Sequence, residues 1–351
     1  MAKIEDIDAV CKRLSLGSTV AGRASNIISS ELIVIPTGCH VLDNDLLIHG
    51  GLPCGQMTLI WGMADVGKSL TTYWAAANAQ AMFPDKYVVI VDSEGRTKDI
   101  TATEWMEKQG IDLNRLIILH SSHLEKILPF ICTMARRDDV CLIIWDTYSN
   151  CFALPMDKDK NPDYTKNPGI GGVARAVSLA MPAIMDEIHR SNIVFVVVAQ
   201  IRARIDMQGG GRGGNRPGVS KQLEHEAAVR LNFRHAETVT ENQIPIGWKL
   251  AIRVEKGKGY ATRGANTGNT GDGHITLLFN EGRPDNTVML IEDAIKCGVI
   301  QAVGSWFSYK ELKIQGRKKL KEALTDEMVE EIINELKLVK ETMPAETGLE
   351  I

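Results

Sequence analysis

The sequence predicts an α/β fold: a mostly parallel, twisted sheet flanked by helices, with a short N-terminal helix and a small C-terminal α+β domain. Three observations carry this. Apolar runs alternate with helical segments after Ile35, a glycine-rich turn joins the first long run to a helix, and the texture shifts to short helices from about Val288. Strands are expected at 57–61, 87–92, 115–119, 141–146 and 193–199. Four of these are continuous apolar stretches, which parallel strands buried on both faces require. Further strands are expected at 228–234, 248–255 and 274–279.

Three regions follow. Residues 1–30 form an N-terminal oligomerisation helix and linker, 31–288 the core, and 289–351 a small domain and tail. In the first region Ile4, Ile7, Val10, Cys11 and Leu14 share one helix face. A helix this short is marginal alone, and the polar stretch from Gly17 to Ser25 leaves it free to dock on another subunit. In the last region Met328, Ile332, Leu336 and Val339 form a stripe on a helix from Glu327 to Lys340.

Composition narrows the function classes. With 44% hydrophobic residues and a net charge of −4, the chain is an ordinary globular one, so polynucleotide contact would need a local basic surface. Seven scattered cysteines, without a Cys-x-x-Cys pair or matching histidines, argue against a disulfide framework or zinc site and for a reducing compartment. The start, MAKIEDIDAVCKRL, lacks a signal peptide's apolar core, and the longest apolar run, Ile193 to Ala199, is too short to span a bilayer. A cytoplasmic protein is expected.

Gly62-Met63-Ala64-Asp65-Val66-Gly67-Lys68-Ser69 has the spacing of a P-loop. It lies between a strand-like run (Met57 to Trp61) and a helix-like run (Leu70 to Ala81). In that context the loop's backbone N–H groups can surround phosphate oxygens, and the helix presents its positive end to them. Lys68 would reach the β- and γ-phosphates and Ser69 would ligate Mg2+, with Leu70 closing the cradle. This pattern points to ATP or a similar triphosphate.

Three other strand ends carry candidate chemistry. Cys141 to Trp145 is an apolar strand ending in Asp146, a Walker B arrangement that would hold the metal shell. Val88 to Val91 leads into Asp92-Ser93-Glu94, where a glutamate can orient an attacking water or be a solvated loop carboxylate. Val194 to Ala199 ends in Gln200, a neutral amide able to sense a γ-phosphate. Two stretches interrupt the alternation: Pro155 to Gly172, and Arg202 to Gly218 with its glycine-arginine run. Between 200 and 230, six basic residues stand against three acidic ones, a local excess of +3. A segment of that composition can follow a phosphate backbone or be a surface insertion, and its attachment to Gln200 favours the former.

The order of these elements, together with Val173-Ala174-Arg175, Ala199-Gln200-Ile201-Arg202, Val229-Arg230-Leu231 and Ser305 to Lys310, resembles the RecA recombinase family, bacterial and phage UvsX-like branches alike. The similarity runs from about Ile35 to Lys340 and implies a RecA-like P-loop ATPase core. It implies that Glu94 is the water-activating glutamate, Asp146 the Walker B acid, and Gln200 the link between γ-phosphate and DNA loop. Residues 157–171 correspond to a first DNA-binding loop, with Ile170 as an apolar wedge and Arg175 as a phosphate contact. Residues 202–220 correspond to a second, carrying Arg202, Arg204, Ile205, Arg212 and Arg216, with Ile205 the second wedge. Lys256 and Lys258 match paired lysines that reach a neighbouring subunit's ATP. Departures are the Met-Ala-Asp-Val P-loop interior, the extra Gly and Arg of the second loop, His225 in place of an aromatic coupling residue, and a mildly acidic tail.

The resemblance thus implies a DNA-dependent ATPase that assembles as a homo-oligomeric helical filament on single-stranded DNA. It would pair that strand with homologous double-stranded DNA and promote strand exchange. A hexameric helicase on the same core, or a paralogue that modulates recombinase filaments, are the alternatives.

Overall fold

The computed structural model describes residues 32–153, 172–202, 216–261 and 272–342. The expected N-terminal helix, and the interiors of both candidate DNA loops, lie outside the described residues.

A small antiparallel pair, β1 (Val34–Ile35) and β2 (Leu52–Pro53), precedes the main sheet. The next strand, β3 (Met57–Gly62), sends Met57, Leu59 and Trp61 into one hydrophobic layer and Ile60 into the other. Such two-sided burial is what an unbroken apolar run demands. Helix α1 (Lys68–Met82) follows, then β4 (Tyr87–Asp92), α2 (Ile100–Lys108), β5 (Leu116–His120), α3 (Leu124–Ala135), β6 (Val140–Asp146), α4 (Gly172–Ser191) and β7 (Val194–Arg202). After β8 (Arg216–Pro217) and α5 (Lys221–Glu226) come β9 (Val229–Glu241), β10 (Ile244–Lys256) and β11 (Asp272–Leu278).

The sheet order is β11-β10-β9-β3-β7-β6-β4-β5, with β8 pairing β7 off that path. From β9 to β5 all neighbours are parallel, and β10 and β11 add antiparallel strands at one edge. Trp74, Ala75, Ala76 and Ala79 of α1 and Met106 of α2 fill one face. The other is filled from α3, α4 and α5, through Ile127, Ile131, Met181, Ile184, Ile188 and Leu223. No helix among the described residues is long and apolar enough to cross a membrane. Every cysteine among the described residues is free.

The five strands expected first and the 274–279 strand lie where the apolar runs place them, whereas β9 and β10 run well past the expected 228–234 and 248–255. Their extra residues form a hairpin whose outer part is largely exposed, so no alternation between a buried and a solvated face marks it. Its turn is Asn242-Gln243, with φ of 51° and 67° at the two residues. Two central residues at positive φ match the right-handed twist of the strands, but the absence of a glycine hides the turn in the sequence.

The last segment packs α6 (Asn286–Lys296), the antiparallel β12 (Gln301–Val303), β13 (Trp306–Tyr309) and β14 (Leu312–Gln315), α7 (Arg317–Ala323) and α8 (Asp326–Thr342) around a separate cluster. Leu290, Ile291, Phe307, Leu320, Ile332 and Leu336 belong to it, and the expected α8 stripe supplies the last two.

A polar knot ties this segment to the core. Lys340 Nζ donates to Asp293 Oδ2 at 2.6 Å and also reaches Asp45, while His40 Nε2 lies 3.2 Å from the same Asp293 oxygen. Burial alone would raise the Asp293 carboxyl, but hydrogen bonds from His40 and Lys340 hold it well below the usual range. Asp45, sharing that ammonium, is pushed up, chiefly by burial.

A depressed folded-state pKa gives stability that is complete above the ordinary aspartate value of about 4 and fades as the pH falls below it. Asp293→Asn should therefore destabilise the chain by about 2 kcal/mol at neutral pH. In urea unfolding, its deficit relative to the unaltered protein should shrink steadily as the pH is lowered from about 5 toward 2.

Candidate functional site

The parallel register brings the chemistry to one edge. Gly62 of β3 stands opposite Gln200 of β7, and Asp92 of β4 opposite Asp146 of β6. Open parallel sheets bind ligands beyond such carboxyl ends.

Gly62 must be glycine, since a Cβ there would lie 2.2 Å from the Phe233 carbonyl oxygen of the adjoining strand. The loop then turns through Asp65 and Gly67, at φ 57° and 72°, before α1 begins at Lys68. Gly67 brings no side chain to cap the helix, so the first amides of α1 face outward, with the helix's partial positive charge behind them. Lys68 is only 6% exposed and donates to the Met63 carbonyl. Burial, the largest influence, lowers its pKa, and Asp146 nearby pulls the other way.

These groups line a cavity of about 250 Å³, bounded by Ala64, Asp65, Val66, Gly67, Lys68, Ser69 and Leu70 of the P-loop, Glu94, Arg96, Asp146, Thr147 and Gln200, with Trp248 and Leu277 as an apolar wall. The Ser69 hydroxyl and the Asp146 carboxylate both line it. Burial, the largest influence, pushes the Asp146 carboxyl up to about 6, with Ser69 opposing the rise and the charge of Glu94 adding to it. A hydroxyl and a carboxylate so placed form a hard-oxygen pair suited to Mg2+.

Asp92 fixes the loop that carries Glu94. Its carboxylate accepts the backbone N–H groups of Glu94 (3.0 Å), Gly95 (2.7 Å) and Thr97 (2.8 Å) and the Thr97 hydroxyl (2.7 Å). Burial would raise the Asp92 carboxyl, but the Thr97, Glu94 and Gly95 hydrogen bonds together hold it below the usual range. Glu94 is thereby aimed into the cavity: Oε1 accepts from Gln200 Nε2 at 2.9 Å, and Oε2 pairs with Arg96.

Gln200 also has backbone duties. Its N–H donates to Ser149 Oγ at 2.7 Å, and its carbonyl accepts from Gly218 N at 3.0 Å. One residue on, Ile201 and Arg202 pair with Pro217 and Arg216. The two ends of the second candidate DNA loop are thus joined directly beside Gln200. Arg175 is exposed on the first turn of α4, next to the end of the first candidate loop. Ile170, Arg204, Ile205 and Arg212 lie outside the described residues.

Lys256 and Lys258 stand apart from this cavity, at the end of β10 and just beyond it. Lys256 Nζ donates to the His225 carbonyl at 2.6 Å and to that of Glu224 at 3.3 Å. Burial, then the neighbouring Lys258 and Arg230 charges, push it down to about 8.

Sequence reasoning missed Asp92 as the loop's anchor, Ser149 as the Gln200 partner, and Arg96 and Trp248 as cavity walls. Asp92 stood in the quoted motif, and its strand-end position followed by glycine was the available signal. Trp248 comes from β10, one strand in from the sheet edge and far along the chain, and nothing local marks it.

The RecA N-terminal domain model matches residues 4–266, and the RecA C-terminal domain model matches residues 289–339. Protein RecA of Campylobacter lari is 28% identical over 343 residues, covering 95% of this chain and 94% of the relative. Protein RecA of Aquifex pyrophilus is 27% identical (93% and 88% covered), and that of Thermus thermophilus 27% (93% and 90%). With Lys68, Ser69, Glu94 and Asp146 converging on one sheet edge, and both domain models matched in order, this chain belongs to the RecA family.

Proposed function

We propose that the protein is a DNA-dependent ATPase that forms helical filaments on single-stranded DNA and pairs that strand with homologous duplex. Family membership supports a recombinase function, with ATP and Mg2+ as the ligands of the site. The single observation that carries the finer reading is the double engagement of Gln200. Its side chain donates to Glu94, and its carbonyl accepts from Gly218, where the chain returns beside β7 after the second candidate loop.

In this reading the P-loop amides and Lys68 hold the triphosphate, and Ser69 and Asp146 hold the metal. Bound Mg2+ would offset charge on the β- and γ-phosphate oxygens. Glu94 takes a proton from water as the water oxygen bonds to the γ-phosphorus, and the β–γ bridging bond breaks with its electron pair departing on ADP. The γ-phosphate draws on the Gln200 amide, so ATP and ADP leave the loop ends differently placed, a nucleotide-driven ordering switch. Arg175, Arg202, Arg204, Arg212 and Arg216 would bind DNA phosphates, with Ile170 and Ile205 between bases. Lys256 and Lys258, away from their own cavity, would serve a neighbour's nucleotide, Lys256 by giving up its contacts with the Glu224 and His225 carbonyls.

Three measurements test this. Glu94→Gln should keep ATP and single-stranded DNA binding while turnover falls about 100-fold or more, the scale of a lost general base; normal hydrolysis would assign water activation elsewhere. Gln200→Ala should bind single-stranded DNA with nearly equal affinity in ATPγS and in ADP, where the unaltered protein should favour ATPγS about tenfold, a coupling near 1.4 kcal/mol. Electron microscopy with single-stranded DNA and a non-hydrolysable ATP analogue should show open helical filaments, and closed rings would move the assignment to a helicase.

A further inference from the structure

Both oxygens of the Glu94 carboxylate are engaged, one by the Gln200 amide and one by the Arg96 guanidinium. The second partner is unlike the first. Arg96 opens a short 3-10 turn (Arg96–Lys98) directly after the segment that Asp92 pins, so its backbone is fixed while its side chain is 58% exposed. The Glu94 side chain is only 10% exposed. Arg96 lines the same cavity as Lys68, Ser69 and Gln200, near enough to Lys68 that its charge helps to lower that pKa. The two partners fix the direction of the carboxylate, and opening the Arg96 pair would leave Oε2 free to swing toward a water.

We propose that Arg96 is a positioning residue that holds Glu94 away from the attacking water until a terminal phosphoryl group in the cavity draws the guanidinium off. A guanidinium pairs with phosphate oxygens in the same forked geometry it uses for a carboxylate. The γ-phosphoryl group offers three oxygens and more charge, so it competes for Arg96 where a diphosphate, ending one group short, does not. The exchange leaves Glu94 without its cation, so the stronger attraction of the triphosphate for Arg96 is what drives it. Arg96 thereby gives the site discrimination between triphosphate and diphosphate.

This rests on the nucleotide-site reading above, and the two are separable. Lys68→Ala should abolish binding of both a fluorescent ADP and ATPγS; if it binds both as the unaltered chain does, the nucleotide site itself is misassigned. Arg96→Ala, in the full chain, should bind fluorescent ADP with unchanged affinity, which also shows that it folds. Its affinity for ATPγS, measured by competition, should fall at least threefold. If the ATPγS-to-ADP preference stays as it was, or if ADP affinity is lost too, Arg96 does not hold Glu94 in this way.

Discussion

Register is the constraint on which everything else depends. Five parallel pairings fix the height at which Gly62, Asp92, Asp146 and Gln200 leave the sheet. In a strand the side-chain period is two, so a slip of one residue would exchange the faces of an entire run. Here both faces are apolar, and burial alone would tolerate the exchange. What forbids it is the strand end: Gly62 abuts the Phe233 carbonyl too closely for any Cβ, so β3 can meet β9 in one alignment only. The P-loop and the strand register are therefore set by the same contact.

The coupling built on that frame is energetically modest. A hydrogen bond to a charged group contributes about 1.5–3 kcal/mol net, and the Gln200–Glu94 contact is one such bond. In the proposed function, modest strength suits a part that would be remade at every turnover. The polar knot of His40, Asp45, Asp293 and Lys340 plays a structural role. Built on buried His40 and Asp293 and multiply bonded, it ties the C-terminal segment to the residues that precede the P-loop strand.

Much of this was legible in the sequence because the site is made of strand ends, and strand ends are where apolar runs stop. Asp146 and Gln200 could be picked out that way, and the P-loop by its spacing. Glu94 was ambiguous, since a glutamate after a strand is as readily solvated as catalytic. What settles its direction is the set of backbone donors converging on Asp92, which is a matter of turn geometry. Arg96 and Trp248 were invisible for different reasons. The first is a long exposed side chain whose partner depends on the fold of its own loop. The second reaches the cavity from β10, almost two hundred positions away. The outer hairpin of β9 and β10 was hidden by its glycine-free turn and its exposure on both faces.

Because β8 folds back onto β7 just past Gln200, residues 203–215 leave and return at adjoining points of the scaffold. Closure entropy rises only logarithmically with chain length, about 0.6 kcal/mol for each doubling. Extra residues inserted between those anchor points would therefore weigh little on stability, and would not displace the amide that faces the nucleotide. Drift in that stretch is thus insulated from the chemistry. Its unusual wealth of glycine and arginine could be acquired by selection on the grip alone, while the hydrolytic centre stayed as inherited.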